Sequence, residues 1–155
     1  MIGNGVLSPS EERVQISVYA IAAAPLIVAG DLRTIRRDAL ATLANRDVIA
    51  IDQDSLGKPG QRIRSEDGEE VWSRELSAGR RAVLLFNRSS QPRNVALPWT
   101  ELDLAPGTRL GGGHEAWTGR GIAEGGGVAQ RLAPHDVAEF LLDAPSGGGA
   151  VRPPL

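Results

Sequence analysis

The feature that most constrains the fold is a short apolar run between two helical patterns, within residues 20–57. Ile21–Ala24 has no polar residue to face water, which indicates the buried end of a helix, and Pro25 ends that helix because proline has no N–H to donate. Leu26–Ala29 follows and Gly30 ends it. Such a run without polar alternation is typical of a parallel strand covered on both faces. The predicted order is helix, strand, helix, one unit of an α/β sheet or barrel that is not stable alone.

The two helices that flank this strand have separate signals. Ser8 and Glu11 form a capping box, and Pro9 suits the first helical position, so a helix is predicted to start at Ser8. The second helix is predicted between Thr34 and Asn45, where Ile35, Ala39 and Leu43 recur at helical spacing.

After residue 60 the pattern changes from helical stripes to short strands separated by turns. Asp67-Gly68 is a hairpin dipeptide that joins strands at 61–65 and 69–75. The run Ala82–Phe86 is apolar on both faces, which predicts a central strand, and Pro98 places the end of the next strand at an edge. Seven or eight strands are predicted, which favours an antiparallel sandwich. The further strands are expected at 94–98, 109–117, 128–132 and 137–142.

Several motifs in this chain resemble one enzyme family. APLIVAGDLRTI (24–35) and LANRDVIAIDQDSLGKPGQRI (43–63) resemble the end of the catalytic barrel in the α-galactosidases, or melibiases, of glycoside hydrolase family 27. MIGNGVLSPSEE (1–12) is similar to the segment that precedes it in the family. Weaker similarities to the family's C-terminal β-domain follow at Val71-Trp72, Leu97-Pro98-Trp99 and Trp117-Thr118-Gly119.

The resemblance implies a fold of mixed class, α/β followed by all-β. Residues 1–54 are expected to supply the last helix–strand–helix of a (β/α)₈ barrel, and residues 57–143 an antiparallel β-sandwich. It also implies a short helix at Val48–Ile51, where the β-branched residues alone favour a strand. Residues 144–155 are too poor in apolar side chains to fold and are expected to be disordered.

The activity that the resemblance implies is removal of terminal α-linked galactose by a retaining glycosidase. In the family both catalytic carboxylates come from barrel strands upstream of the positions in this chain, so no catalytic residue is predicted here and the fragment alone is expected to be inactive. Met1 takes the position of a substrate-contacting residue. Neither the residues nor the resemblance implies a cofactor. Relatives that act on N-acetylgalactosamine, arabinopyranose or glucan linkages remain alternatives.

Composition limits the partners of the chain. Its net charge is −2, from 17 basic and 19 acidic residues without a basic stripe, so neither nucleic acid nor a membrane is predicted as a partner. The absence of cysteine excludes disulfides and thiolate metal sites. Members of the family are often secreted, but Met1–Asn4 does not resemble the start of a signal peptide, so no localisation is predicted. Apolar surface on an incomplete barrel would favour a homo-oligomer.

Few polar residues are placed for chemistry. Asp31 follows the predicted strand, where barrel enzymes place active-site loops, yet a turn-forming carboxylate is the favoured interpretation. Asp52 and Asp54 lack the glycine and glutamate of a calcium loop, which favours caps and turns. The two histidines, His114 and His135, lie 21 positions apart, so no histidine-rich metal centre is predicted.

The three tryptophans leave an alternative function open. Trp72, Trp99 and Trp117 are expected to anchor the core or the domain interface. An open face on any of them would instead favour a non-catalytic carbohydrate-binding module, and the β-domain could also be purely structural.

Overall fold

The structure, a computed structural model, describes residues 2–104, 110, 112–123 and 125–144. Within these ranges, helices occupy the first third of the chain and strands the rest. None of these helices is long and apolar enough to cross a bilayer. The elements are α1 (Pro9–Ile21), α2 (Arg37–Leu43), α3 (Arg46–Asp52), β1 (Gln61–Glu66), β2 (Glu69–Glu75), β3 (Arg81–Asn87), β4 (Arg93–Pro98), β5 (Gly113–Glu115), β6 (Gly127–Leu132) and β7 (Asp136–Leu142).

The strands form two antiparallel sheets. The larger has five strands in the order β1-β2-β3-β7-β5, and the smaller pairs β4 with β6. β3 lies between β2 and β7, with Leu84 opposite Trp72 on one side and opposite Glu139 on the other. The central position predicted for the Ala82–Phe86 strand is therefore confirmed.

Alternation along the central strands builds two cores, one on each face of the five-stranded sheet. In β3, Ala82 and Leu84 face the helices, whereas Val83 and Leu85 face the two-stranded sheet. This is the period of two expected of a strand covered on both sides. The helix-side core contains Ile16, Ala20, Ile21, Val48, Ile51, Leu84, Val137 and Leu141. The core between the sheets contains Val83, Leu85, Val95, Leu97, Val128, Leu132, Phe140 and Leu142.

Local signals fix the helix starts. The Ser8 hydroxyl accepts from the N–H of Glu11, and the Glu11 carboxylate accepts from the N–H of Ser8, so the predicted capping box is present. The side chain of Asn45 accepts from the N–H groups of Asp47 and Val48, which starts α3 as the resemblance implied.

The main local difference from the sequence prediction concerns Leu26–Ala29. This run was predicted as a buried strand but lies in irregular chain outside both sheets. Ile27 is 82% exposed. A parallel strand needs neighbours to accept and donate its hydrogen bonds, and the strands of this chain pair among themselves.

The fold class itself is confirmed, with a short helical part followed by an antiparallel sandwich. The predicted hairpin at Asp67-Gly68 joins β1 to β2, with positive φ at both residues. Of the strand predicted at 109–117, residues 109 and 111 lie outside the described residues, and β5 spans Gly113–Glu115. The tail predicted to be disordered lies, apart from Ala144, outside the described residues.

Candidate functional site

Met1, the one predicted substrate-binding residue, lies outside the described residues. The loop that follows it is anchored to α1: the Gly3 N–H donates to Oε1 of the buried Glu12 at 2.8 Å, and the guanidinium of Arg36 reaches Oε2 at 3.0 Å. Gly3 has φ of +82°, and a Cβ there would lie 2.7 Å from Cγ1 of Ile35. Glycine suits this position because of its positive φ and its close approach to the Ile35 side chain.

Asp31 forms a turn rather than a reactive site. Its carboxylate accepts from the Arg33 N–H at 3.0 Å and from the Arg33 guanidinium at 2.7 Å. The hydrogen bonds from the Arg33 side chain, and then from its backbone, lower the pKa of Asp31. An exposed, ionised carboxylate paired with arginine cannot act as a general acid near neutral pH.

Asp54 has a structural role of the kind predicted for it. Its Oδ1 accepts from the N–H of Leu56 at 3.0 Å and of Ser77 at 2.7 Å, and its Oδ2 accepts from the Ser77 hydroxyl and from Arg80. Burial opposes ionisation, but these hydrogen bonds and the Arg80 charge outweigh it and lower the pKa of Asp54. The carboxylate thus fastens the end of the helical segment to the turn between β2 and β3.

The histidines are not brought together. His114 lies on β5 beside the end of β7, where its Nε2 is 2.9 Å from Oδ2 of Asp47. His135 lies in the turn before β7, with φ of +52°. Across the described ranges, no three histidine, aspartate or glutamate side chains are grouped to hold a metal ion.

A buried pair of acids, which sequence reasoning missed, lies on the helix-facing side of the five-stranded sheet. Glu139 of β7 is completely buried, and neither of its carboxylate oxygens has a hydrogen-bond partner among the described residues. Burial raises the pKa of Glu139 to about 8. The negative charge of Glu115 raises this pKa further, whereas the Ser17 hydroxyl and the positive charge of Arg74 lower it. Glu139 is therefore protonated at neutral pH.

The neighbouring Glu115 is fully engaged in holding a turn. Its Oε2 accepts from the N–H of Thr118 at 2.8 Å and from the Thr118 hydroxyl at 2.7 Å, and its Oε1 lies 3.3 Å from the N–H of Glu139. Two carboxyl groups with such different surroundings resemble a glycosidase pair. Here one is sealed in the core and the other binds backbone, so the pair cannot reach a glycosidic oxygen.

Arg74 joins the helices to the sheet. Its buried guanidinium donates to the carbonyl of Ala20 at the end of α1 and, at 3.3 Å, to the carbonyl of Asp52 at the end of α3. A cation at two helix C-termini satisfies unpaired carbonyls and is favoured by both helix dipoles. The spacing of these residues, more than 20 positions along the chain, gives no sequence signal for this contact.

All three tryptophans are half-buried and pack against the cores, as predicted. The ring of Trp72 carries the Arg62 guanidinium 5.8 Å from its centroid, and Trp99 packs against the core between the sheets. Trp117 differs because it lines a cleft. We call this the Trp117 cleft; its lining includes Arg13, Asp38, Thr42, Trp117, Arg120 and Gln130.

An apolar groove with different lining residues also borders α1. Tyr19, Ile27 and Val28 form its most exposed part, and Leu26 and Leu43 also line it. This groove holds the segment that was predicted as a barrel strand. Its polar lining residues are Gln15, Tyr19 and Gln53, and no acid or histidine lines it in the part of the chain that the structure describes. An exposed apolar patch of this kind is typical of a surface that another element covers.

Comparisons with known proteins agree with this arrangement. The family model described as alpha galactosidase A matches residues 1–54, and that of the alpha galactosidase C-terminal beta sandwich domain matches residues 66–142. An α-galactosidase from Oryza sativa subsp. japonica is 36% identical over 141 residues, which are 91% of this chain and 34% of the rice protein. Human alpha-galactosidase A is 48% identical over 88 residues, 57% of this chain and 20% of the human protein.

A solved structure shares the fold. The crystal structure of α-galactosidase I from Mortierella vinacea has a TM-score of 0.86 at 22% identity, covering 93% of this chain and 38% of that chain. Fold and family models together define the C-terminal part of a glycoside hydrolase. The chain belongs to the α-galactosidases of glycoside hydrolase family 27, as the motifs indicated, and spans about a third of the length of the rice relative.

Proposed function

We propose that the whole protein removes terminal α-linked galactose with retention of configuration, and that this chain supplies the end of its barrel and its C-terminal sandwich. The observation that carries the proposal is the exposure of the Leu26–Ala29 run. Ile27 is 82% and Val28 49% exposed, although the run has the composition of a strand covered on both faces. Neighbouring barrel strands from the rest of the protein would cover it.

The chain alone is not expected to hydrolyse galactosides. A retaining enzyme holds two carboxyl groups about 5 Å apart across the scissile bond. Asp31 is exposed and paired with Arg33, Glu139 is sealed in the core, and the Glu115 carboxylate is bonded to Thr118. A lone carboxylate has no partner to protonate the leaving oxygen, so neither displacement proceeds.

Galactose is the sugar that the relatives support. The rice and human proteins are named α-galactosidases. The substrate would enter through the barrel, and the loops that distinguish galactose from N-acetylgalactosamine or arabinopyranose would come from its earlier strands.

A chimera tests the proposal. The N-terminal part of the rice α-galactosidase is joined to residues 1–155 of this chain in place of the matching rice segment. The chimera is expected to hydrolyse 4-nitrophenyl α-D-galactoside, because residues 1–54 complete the barrel. The isolated chain is expected to give no turnover above buffer.

Two variants of the chimera control for general damage. Ile27→Asp puts a charge where the proposal needs an apolar covered face, so activity should be lost. Ile63→Asp makes the same change on β1, where Ile63 is already 38% exposed, and should preserve activity. A folded chimera without activity would contradict the proposal, as would turnover by the isolated chain that Asp31→Asn abolishes.

A further inference from the structure

The Trp117 cleft is a depression of about 660 Å³ that shares no lining residue with the apolar groove. It lies where the start of α1 and the helix α2 meet β6, β7 and the turn after β5. Its volume falls within the range of small-ligand sites. No step of the proposed hydrolysis uses it.

Its aromatic wall is held in one position. The indole N–H of Trp117 donates to the buried Ser17 hydroxyl at 3.1 Å, which fixes the ring. On either side of Trp117 in the chain, the Asn45 amide donates to the Ala116 carbonyl at 3.0 Å, and the Thr118 N–H donates to the Glu115 carboxylate at 2.8 Å. A pre-ordered aromatic side chain presents apolar area to a ligand at little entropic cost.

The charges around the cleft cancel. Three arginines and three acids line it: Arg13, Arg120, Arg131, Asp38, Glu115 and Asp136. Arg13 pairs with Asp136 at 2.8 Å, and Arg120 donates to Gln130 Oε1 at 2.6 Å. Because the formal charges of the lining balance, neither an anion nor a cation gains a net attraction there. Hydroxyl groups, which both donate and accept, fit such a lining of paired donors and acceptors.

We propose that the Trp117 cleft binds a neutral pyranose unit of an oligosaccharide, with one sugar face against Trp117 and hydroxyl groups on the polar rim. This is a binding site separate from the barrel. It depends on residues of this chain alone and not on the proposed hydrolysis, so binding by the isolated chain and activity of the chimera can fail independently.

The test is calorimetric titration of the isolated chain with raffinose and with maltotriose. Saturable binding of at least one of them is expected. Ala41→Arg should weaken that binding by about tenfold or more, because Ala41 is an exposed α2 residue on the cleft wall and an arginine there fills the cleft without touching the core. Trp117→Leu should have the same effect by removing the stacking surface.

Two variants that make the same kinds of change outside the cleft serve as controls. Ala50→Arg makes the same change at an exposed position of α3 outside the cleft, and Trp72→Leu removes a half-buried tryptophan outside it. Both should bind like the unchanged chain. If Trp117→Leu does not fold, Ala41→Arg decides. The proposal is overturned if neither sugar binds saturably, if Ala41→Arg binds as well as Ala50→Arg, or if an anionic oligosaccharide of galacturonate binds more tightly than raffinose.

Discussion

At the residue scale, a single proton on Glu139 links the stability of the fold to pH. Burial raises the pKa of Glu139 to about 8 from an ordinary value of 4.5. In this interval the folded state keeps a proton that the unfolded state has released, so the free energy of unfolding falls as pH rises. The stabilising contribution of the proton on Glu139 is fully present below about pH 4.5 and is lost once the pH has risen above about 8. The size of this pKa shift means that the free energy of unfolding falls by at most about 5 kcal/mol across this pH range.

Replacing Glu139 with glutamine should remove this pH dependence, because the amide keeps the shape of the protonated acid and does not ionise. The free energy of unfolding of Glu139→Gln is expected to change less between pH 5 and pH 8 than that of the unchanged chain, as measured by urea denaturation. The control is Glu66→Gln, at an exposed position at the end of β1. Equal pH dependence in Glu139→Gln and the unchanged chain would show that Glu139 titrates normally.

At the element scale, the Leu26–Ala29 run should behave differently in the isolated chain and in a complete barrel. It belongs to neither sheet here, so its backbone N–H groups have no strand partner. Hydrogen exchange at residues 26–29 is therefore expected to be fast in the isolated chain and strongly slowed in the rice chimera, measured by mass spectrometry. The β3 peptide serves as the internal control, since it should be protected in both. Slow exchange of residues 26–29 in the isolated chain would refute the assignment of this run as an unpaired barrel strand.

The elements that were predictable from sequence are those with local signals. The capping box at Ser8 and Glu11, the Asp67-Gly68 hairpin and the doubly covered strand at Ala82–Phe86 each depend on a few adjacent residues, and each is present. Leu26–Ala29 has a strand's composition, but pairing depends on neighbours, which local pattern cannot supply.

Contacts between distant elements were not predictable. The approach of Glu115 to Glu139 follows from the pairing of β5 with β7, and the helix contacts of Arg74 follow from the packing of α1 and α3 on the sheet. In the sequence these are ordinary charged residues of strands. The same limit applies to the Trp117 cleft, whose walls come from five separate elements; the sequence singled out Trp117 but not its surroundings.

At the scale of the whole molecule, the exposed apolar groove should make the isolated chain self-associate. Tyr19 is 43%, Val28 49% and Ile27 82% exposed, and covering such a surface typically gains several kcal/mol. Concentration-dependent growth in mass is expected in sedimentation velocity. Ile27→Asp should reduce it, whereas Ile63→Asp, which adds the same charge elsewhere, should not. A monodisperse monomer that binds no dye for exposed apolar surface would contradict this prediction.

The junction between the helical part, expected at residues 1–54, and the sandwich, expected at residues 57–143, should be a site of proteolysis. Residues 55–59 are exposed, and Leu56 has 43% of its surface open to solvent. Brief digestion with subtilisin should leave a resistant fragment that begins near residue 60 and contains the β-sandwich. Mass spectrometry would identify its start. Survival of residues 2–52 with loss of 60–143 would contradict a domain boundary at this position.

The position of β7 determines when the protein can fold during its synthesis. Among the strands of the described residues β7 comes last along the chain, yet it lies inside the five-stranded sheet between β3 and β5 and contributes to both cores. Until residues 136–142 have emerged, the nascent chain leaves β3 with an open edge and both apolar cores without one wall. Packing of the earlier elements in N-terminal-first order therefore stays incomplete, because β3 and β5 both pair with β7. A nonsense mutation shortly before Asp136 would therefore remove an interior strand of the five-stranded sheet and leave β5 without its partner.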